Sequence, residues 1–268
     1  MPDNLETIEQ WAFSQCSKLK YVKFGRNLRI IGNSAFNSCT ELQDVYFSSS
    51  IEEVGSVAFS NCRKLASVHI TDLSAWCRIE FEYNGNPLFY AHYLYLNNEQ
   101  IKDLVIPDDV LSLGSYVFQG LEGCSNLNLS NVKRIGSFAF SNSFSLQKLI
   151  IPKNVIEIGE GITEGCLNLR KITVDKENSV YDSRDKSNCI IKTNGDTLVA
   201  GCSYTKIPSS VKAIGPNSFS KLYMENIELP ENIKYIGNSA FSGCSHLKNI
   251  KFPESLEYIG FFAFVYCI

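Results

Sequence analysis

The stretch Ile31-Gly32-Asn33-Ser34-Ala35-Phe36-Asn37-Ser38-Cys39 returns nearly unchanged as Ile236-Gly237-Asn238-Ser239-Ala240-Phe241-Ser242-Gly243-Cys244. Working outward from it, Phe13, Phe36 and Phe59 stand 23 residues apart, as do Cys16, Cys39 and Cys62, and Leu5, Leu28 and Ile51. The full unit reads V-x-x-I-G-x-x-A-F-x-x-C-x-x-L-x-x-I-x-I-P-x-x. It starts at Leu5, Leu28, Ile51, Val110, Val132, Val155, Val211, Ile233 and Leu256, at spacings of 23, 23, 59, 22, 23, 56, 22 and 23. A fixed period of this kind marks a stacked array in which no unit buries its apolar face alone.

Each position has a physical reading. The L-x-x-I-x-I segment, as in Leu19-x-x-Val22-x-Phe24, alternates like a strand with one buried face. V-x-x-I-G adds two apolar anchors and a glycine suited to a tight turn, which can take positive φ. Asn33 to Phe36 and Asn238 to Phe241 carry helix-entry residues, so one helical turn is expected at each Ala-Phe pair. Thr163 replaces the phenylalanine of its repeat, with Ile162 at the alanine position, and predicts a locally repacked core. The two long intervals return to the strand-and-proline phase at Ile106-Pro107 and Ile207-Pro208, and so read as enlarged coils at about 71–100 and 175–206. The expected architecture is one solenoid over residues 1–268, with a sheet on one side and short helical turns on the convex side.

Composition excludes several classes. At 44% apolar and 20% charged the chain is not disordered, and a net charge of −3 gives no reason to expect nucleic acid as a partner. No stretch approaches the roughly 20 apolar residues that span a bilayer, so no direct membrane insertion is expected. Met1-Pro2-Asp3-Asn4-Leu5-Glu6 has no signal-peptide character. The sequence stops halfway through a repeat, which suggests a fragment of a longer array.

These residues resemble the BspA-like (Treponema pallidum-type) leucine-rich repeat of surface proteins from host-associated bacteria and some protozoa. The motif copies quoted above carry the resemblance, and it covers essentially the whole chain. It implies an α/β fold, a right-handed leucine-rich-repeat solenoid with a parallel concave sheet, a location at the cell surface or in secretion, and a role in adhesion. It also implies a host extracellular-matrix or cell-surface protein as partner.

Of ten cysteines, Cys16, Cys39, Cys62, Cys166, Cys244 and Cys267 share one repeat position and are expected to form a buried column of free thiols. Cys189 and Cys202 flank an Asn194-Gly195 hairpin signal, offset from a direct cross-strand pair. There is no C-x-x-C pair, and the three histidines are His69, His92 and His246, so no metal or cofactor is expected. Cys77 with His92 is the one nucleophile–base combination to check, and an enzyme is not expected. Asn128-Leu129-Ser130 is a chance-level glycosylation sequon.

A monomer binding through the concave face is therefore expected. The outward strand positions supply the candidate binding residues Tyr21, Lys23, Asp44, Tyr46, His69, Asp103, Lys148, Arg170, Lys171, Lys206 and Lys251. The alternatives are an ordinary solvated sheet, a structural spacer, or a carbohydrate site. The last would use the aromatic-rich first interval with Trp76, Phe81, Tyr83, Phe89, Tyr90, Tyr93 and Tyr95.

Overall fold

Along the repeat, each coil of the chain makes one outward-alternating strand, one short strand and one run of turns. A computed structural model describes residues 1–267. The first row of strands comprises Tyr21–Lys23, Asp44–Tyr46, Ser67–Ile70 and Leu94–Leu96, joined in parallel and closed by the antiparallel Glu99–Gln100. It continues as the parallel pairs Asp103–Val105 with Asn126–Asn128, Lys148–Ile151 with Lys171–Val174, and Asn226–Glu228 with Asn249–Lys251. In strands such as Tyr21–Lys23 and Asp44–Tyr46 the middle residue, Val22 or Val45, is buried between more exposed neighbours, and Leu149 is likewise buried between Lys148 and Ile150. We call this the long-strand face.

A second row of parallel strands forms at the V-x-x-I-G segments. It runs through Thr7–Ile8, Ile30–Ile31, Glu53–Val54 and Glu80–Phe81, then Ser112–Leu113, Arg134–Ile135 and Glu157–Ile158. The repeat length fixes the register, so Ile8 pairs with Ile31 and Ile31 with Val54. The result is a parallel-sheet solenoid of about eleven turns. The glycine closing these strands serves close approach rather than positive φ. A Cβ on Gly32 would lie 2.6 Å from the Gln10 amide nitrogen, and one on Gly55 2.3 Å from Asn33 Oδ1. That Asn33 oxygen accepts the Ser56 amide (2.7 Å), which ties one coil to the next.

The expected helical turns at the Ala-Phe positions are not what forms. Ser34 and Ser38 sit in the left-handed region (φ 55° and 60°), and the equivalent pairs Trp11/Gln15, Val57/Asn61 and Phe138/Asn142 do the same. This divides the amides into two sets. Ala35, Asn37 and Cys39 donate within the coil, to Gly32, Ser34 and Phe36. Ser34, Phe36 and Ser38 donate across to the carbonyls of Ser56, Ala58 and Ser60 (2.7–3.0 Å). A helix would keep every amide inside its own segment; here half of them bind the neighbouring coil.

Inside, the phenylalanines stack face to face. Phe36 lies 5.1 Å from Phe13 and 5.3 Å from Phe59, with Phe219, Phe241 and Phe264 repeating the pattern at 5.1 Å steps. The cysteine column has a hydrogen-bonding reason. Cys39, Cys62, Cys166, Cys244 and Cys267 each donate Sγ–H to the carbonyl of the phenylalanine one coil back (3.0–3.2 Å). Ser143, at the same position, makes the same bond to Phe118 (2.9 Å). All ten thiols are free, and Cys16 and Cys267, in the end coils, are only half-buried.

The 59-residue interval holds a complete additional coil rather than one enlarged coil. Helix Leu73–Arg78, capped by the Asp72 carboxylate, buries Trp76 and Cys77. Glu80–Phe81 and Leu94–Leu96 then join the two rows in parallel, with helix Leu88–Ala91 between them on the turn side.

In the second interval Ile190–Lys192 and Thr197–Ala200 form the antiparallel hairpin expected at Asn194-Gly195. This hairpin divides the core, because Ile190, Ala200 and Cys202 pack toward the N-terminal coils while Cys189, Ile191 and Leu198 pack toward the C-terminal ones. Thr197–Ala200 pairs in parallel with Ala213–Ile214, which carries the short-strand row onward.

Candidate functional site

Three neighbouring strands bring five of the candidate residues together. The register sets Tyr21 beside Asp44 and Ser67, and Lys23 beside Tyr46 and His69. Tyr46 and His69 stack at 4.4 Å with an 11° interplanar angle, and Tyr95 covers the other side of His69 at 5.0 Å. Ser67 Oγ donates to the Asp44 carboxylate, and His69 Nε2 lies 3.2 Å from the same hydroxyl and 3.6 Å from Asp44. His69 Nδ1 is buried without a hydrogen-bond partner, so the ring is held through Nε2 alone.

A groove of about 620 Å³ opens beside these rings. Phe24, Phe47 and Ile70 form its floor, Tyr46 and His69 one wall, and Lys23 and Arg26 its rim. Asn97 and Asn98 close it from the tip of the Leu94–Leu96/Glu99–Gln100 hairpin, both at positive φ (51° and 69°) as a two-residue turn demands.

The other candidates lie elsewhere. Lys148 and Lys171 are register partners, exposed beside Arg170, and form a separate basic patch. Asp103 accepts the Asn126 side-chain amide (2.7 Å). Lys251 lies on the last strand pair, and Lys206 is on no strand, its amide bound to the Ser187 carbonyl (2.9 Å). Arg26 and the Asn97-Asn98 turn were not among the candidates, and Tyr95 was named only for a carbohydrate site. The Asn-Asn pair between alternating residues was the signal that could have located the groove's edge.

The first interval's rings divide between interior and surface, with Phe89, Tyr90 and Tyr95 half-buried. Trp76 and Phe81 are buried, and the Trp76 indole donates to the Val117 carbonyl (3.1 Å). Tyr83 and Tyr93 are exposed. Cys77 is buried, which pushes its thiol up to about 12, and the His92 ring lies 3.1 Å from the Gly120 carbonyl and 3.6 Å from Glu122. Among the described residues no hydrogen bond joins Cys77 to His92, and no cluster of metal-ligating side chains forms.

The BspA type leucine-rich repeat region matches residues 1–83, 91–194 and 191–268, in six copies. The chain belongs to the BspA-type leucine-rich repeat family. This BspA-type chain is also similar in structure to a leucine-rich cell surface protein from Faecalibacterium prausnitzii A2-165. The two share 22% identity over 95% of this chain and 72% of that one, with a TM-score of 0.56. It is likewise similar to the pneumococcal vaccine antigen PcpA, at 17% identity over 94% and 71% of the chains, with a TM-score of 0.55. At these identities the likeness establishes the fold alone. No protein of curated function matches the sequence.

Proposed function

We propose that this BspA-type domain is a non-enzymatic protein-binding module of a cell-surface or secreted adhesion protein. In this reading it is a single right-handed solenoid, acts as a monomer, and engages a host matrix or cell-surface protein through a concave long-strand face. One observation carries the reading: this face presents tyrosines and charged side chains in register over successive coils, Tyr21 and Lys23 beside Asp44 and Tyr46. Extended repeat surfaces of this composition suit protein partners. The surface location is supported by the description of the Faecalibacterium prausnitzii neighbour as a cell surface protein.

The test is binding of the purified chain to immobilised matrix proteins, cell-surface proteins and glycans. Tyr21→Ala with Tyr46→Ala is compared with Lys148→Glu plus Lys171→Glu. Loss of binding in either pair places the partner on this face. Retention of none of the targets would replace the reading with that of a structural spacer.

A further inference from the structure

We propose that the groove between Lys23 and the Asn97-Asn98 turn receives an extended acidic segment of a partner protein. The proposal rests on the protein-binding reading and adds a place and a ligand chemistry to it.

Charge selects the ligand. Among the described residues lining the groove none is Asp or Glu, in a chain whose net charge is −3. Lys23 has no carboxylate partner among the described ion pairs. Arg26 is paired with Asp3 through its amide, Nε and Nη2, and its guanidinium side is 84% exposed, so an incoming carboxylate can share its free N–H groups. Asp44, on the same strand row as Tyr46, is already occupied by Ser67 and His69. The remaining polar lining, Ser48, Ser49, Thr71 and the two asparagines, offers hydrogen-bond donors. The apolar floor of Phe24, Phe47 and Ile70 gives a place for one side chain between the charges.

Shape selects a peptide. The groove crosses the coils of Lys23, Tyr46, His69 and Asn97, three steps of about 4.8 Å, which matches about four residues of extended chain at 3.3 Å each. A sugar ring would need a free aromatic face. His69 is covered on both sides by Tyr46 and Tyr95 and offers the groove its edge, and the remaining face, on Tyr46, is why an oligosaccharide is compared in the test.

The probe is acetyl-Glu-Leu-Glu-Phe-Glu-Leu-amide, titrated calorimetrically into the full chain at low salt. Its all-Gln analogue and a heparin-derived oligosaccharide are compared. The expected result is binding of the Glu peptide, weakened about tenfold or more by Gln replacement, by Lys23→Glu with Arg26→Glu, and by raising salt. Thr71→Trp fills the groove without altering charge and should weaken binding as well, so a folding defect in the charge variant leaves the test decisive. Lys133→Glu with Lys192→Glu, exposed lysines outside the groove lining, should bind as the parent does. The proposal is overturned by no binding of the Glu peptide, by equal binding of the Gln peptide, by indifference to the groove variants, or by tighter binding of the oligosaccharide. A partner captured by the long-strand face but not displaced by the Glu peptide overturns the groove and leaves the face reading standing.

Discussion

The coils of Phe13, Phe36 and Phe59 and the junction at Thr163 solve the same stacking problem differently. In the first region rings stack at 5.1 and 5.3 Å and the backbone turn row is continuous. At the junction the ring column is broken. Thr163 is buried and donates its hydroxyl to the Gly201 carbonyl (2.9 Å), and Gly201 lies against the Phe219 ring, where a Cβ would fall 2.2 Å from Cε1. Yet the backbone row resumes at once, through Gly165 to Ser220 and Gly201 to Ser218. The inserted hairpin is tolerated because it reproduces the ladder, not the aromatic filling. Backbone pairing sets the pitch, and the rings fill the space it leaves.

Phe36→Ala is expected to show the largest effect, about 3–5 kcal/mol lost by urea unfolding, because the ring is fully buried between two others. A loss under about 1 kcal/mol would mean that the column is not what fills the regular coils. Gly201→Ala should cost about 1–3 kcal/mol through overpacking, and a second change, Phe219→Leu, should recover part of it. Failure of that rescue would show that the junction is not limited by the glycine–ring contact.

Cys62→Ser should cost less than about 1 kcal/mol, since Ser143 already makes the same bond to a phenylalanine carbonyl. Unfolding without reductant should expose all ten thiols to a thiol reagent, and fewer would contradict the free column. The smallest effect is expected at the exposed pair of Arg29 and Glu52. Hydrogen bonding from Arg29 lowers the Glu52 pKa, so its stabilising part is present above the ordinary value of about 4.3 and is lost as pH falls through the lowered one. Glu52→Gln should leave the urea midpoint at pH 7 nearly unchanged and flatten its decline in acid.

The period made the columns of Phe36 and Cys39 legible, because a fixed interval places like residues at like depth. The Asn194-Gly195 hairpin was legible from its turn chemistry. The turn row was not: Trp11, Val57, Tyr116 and Phe138 take positive φ although their side chains give no local reason to, and the gain comes only from the adjacent coil. The additional coil was hidden because Leu73–Arg78 and Leu88–Ala91 replace repeat segments with helix. The groove depended on that coil. Tyr46 and His69 follow the 23-residue interval, but Tyr95 and Asn97 reach them only through it.

Every cross-coil amide in the turn row points the same way. Ser34, Phe36 and Ser38 donate forward, as do Asn217, Phe219 and Lys221 to Asn238, Ala240 and Ser242. Peptide dipoles of about 3.5 D therefore add along this edge, with their carbonyl pole toward the coil of Trp11 and their amide pole toward that of Phe262. In the two strand rows such dipoles alternate and largely cancel. A helix gathers its axial polarity within one continuous segment; here each stacked coil contributes a few aligned peptides. The field along this edge is thus set by the number of repeats, whatever side chains they carry.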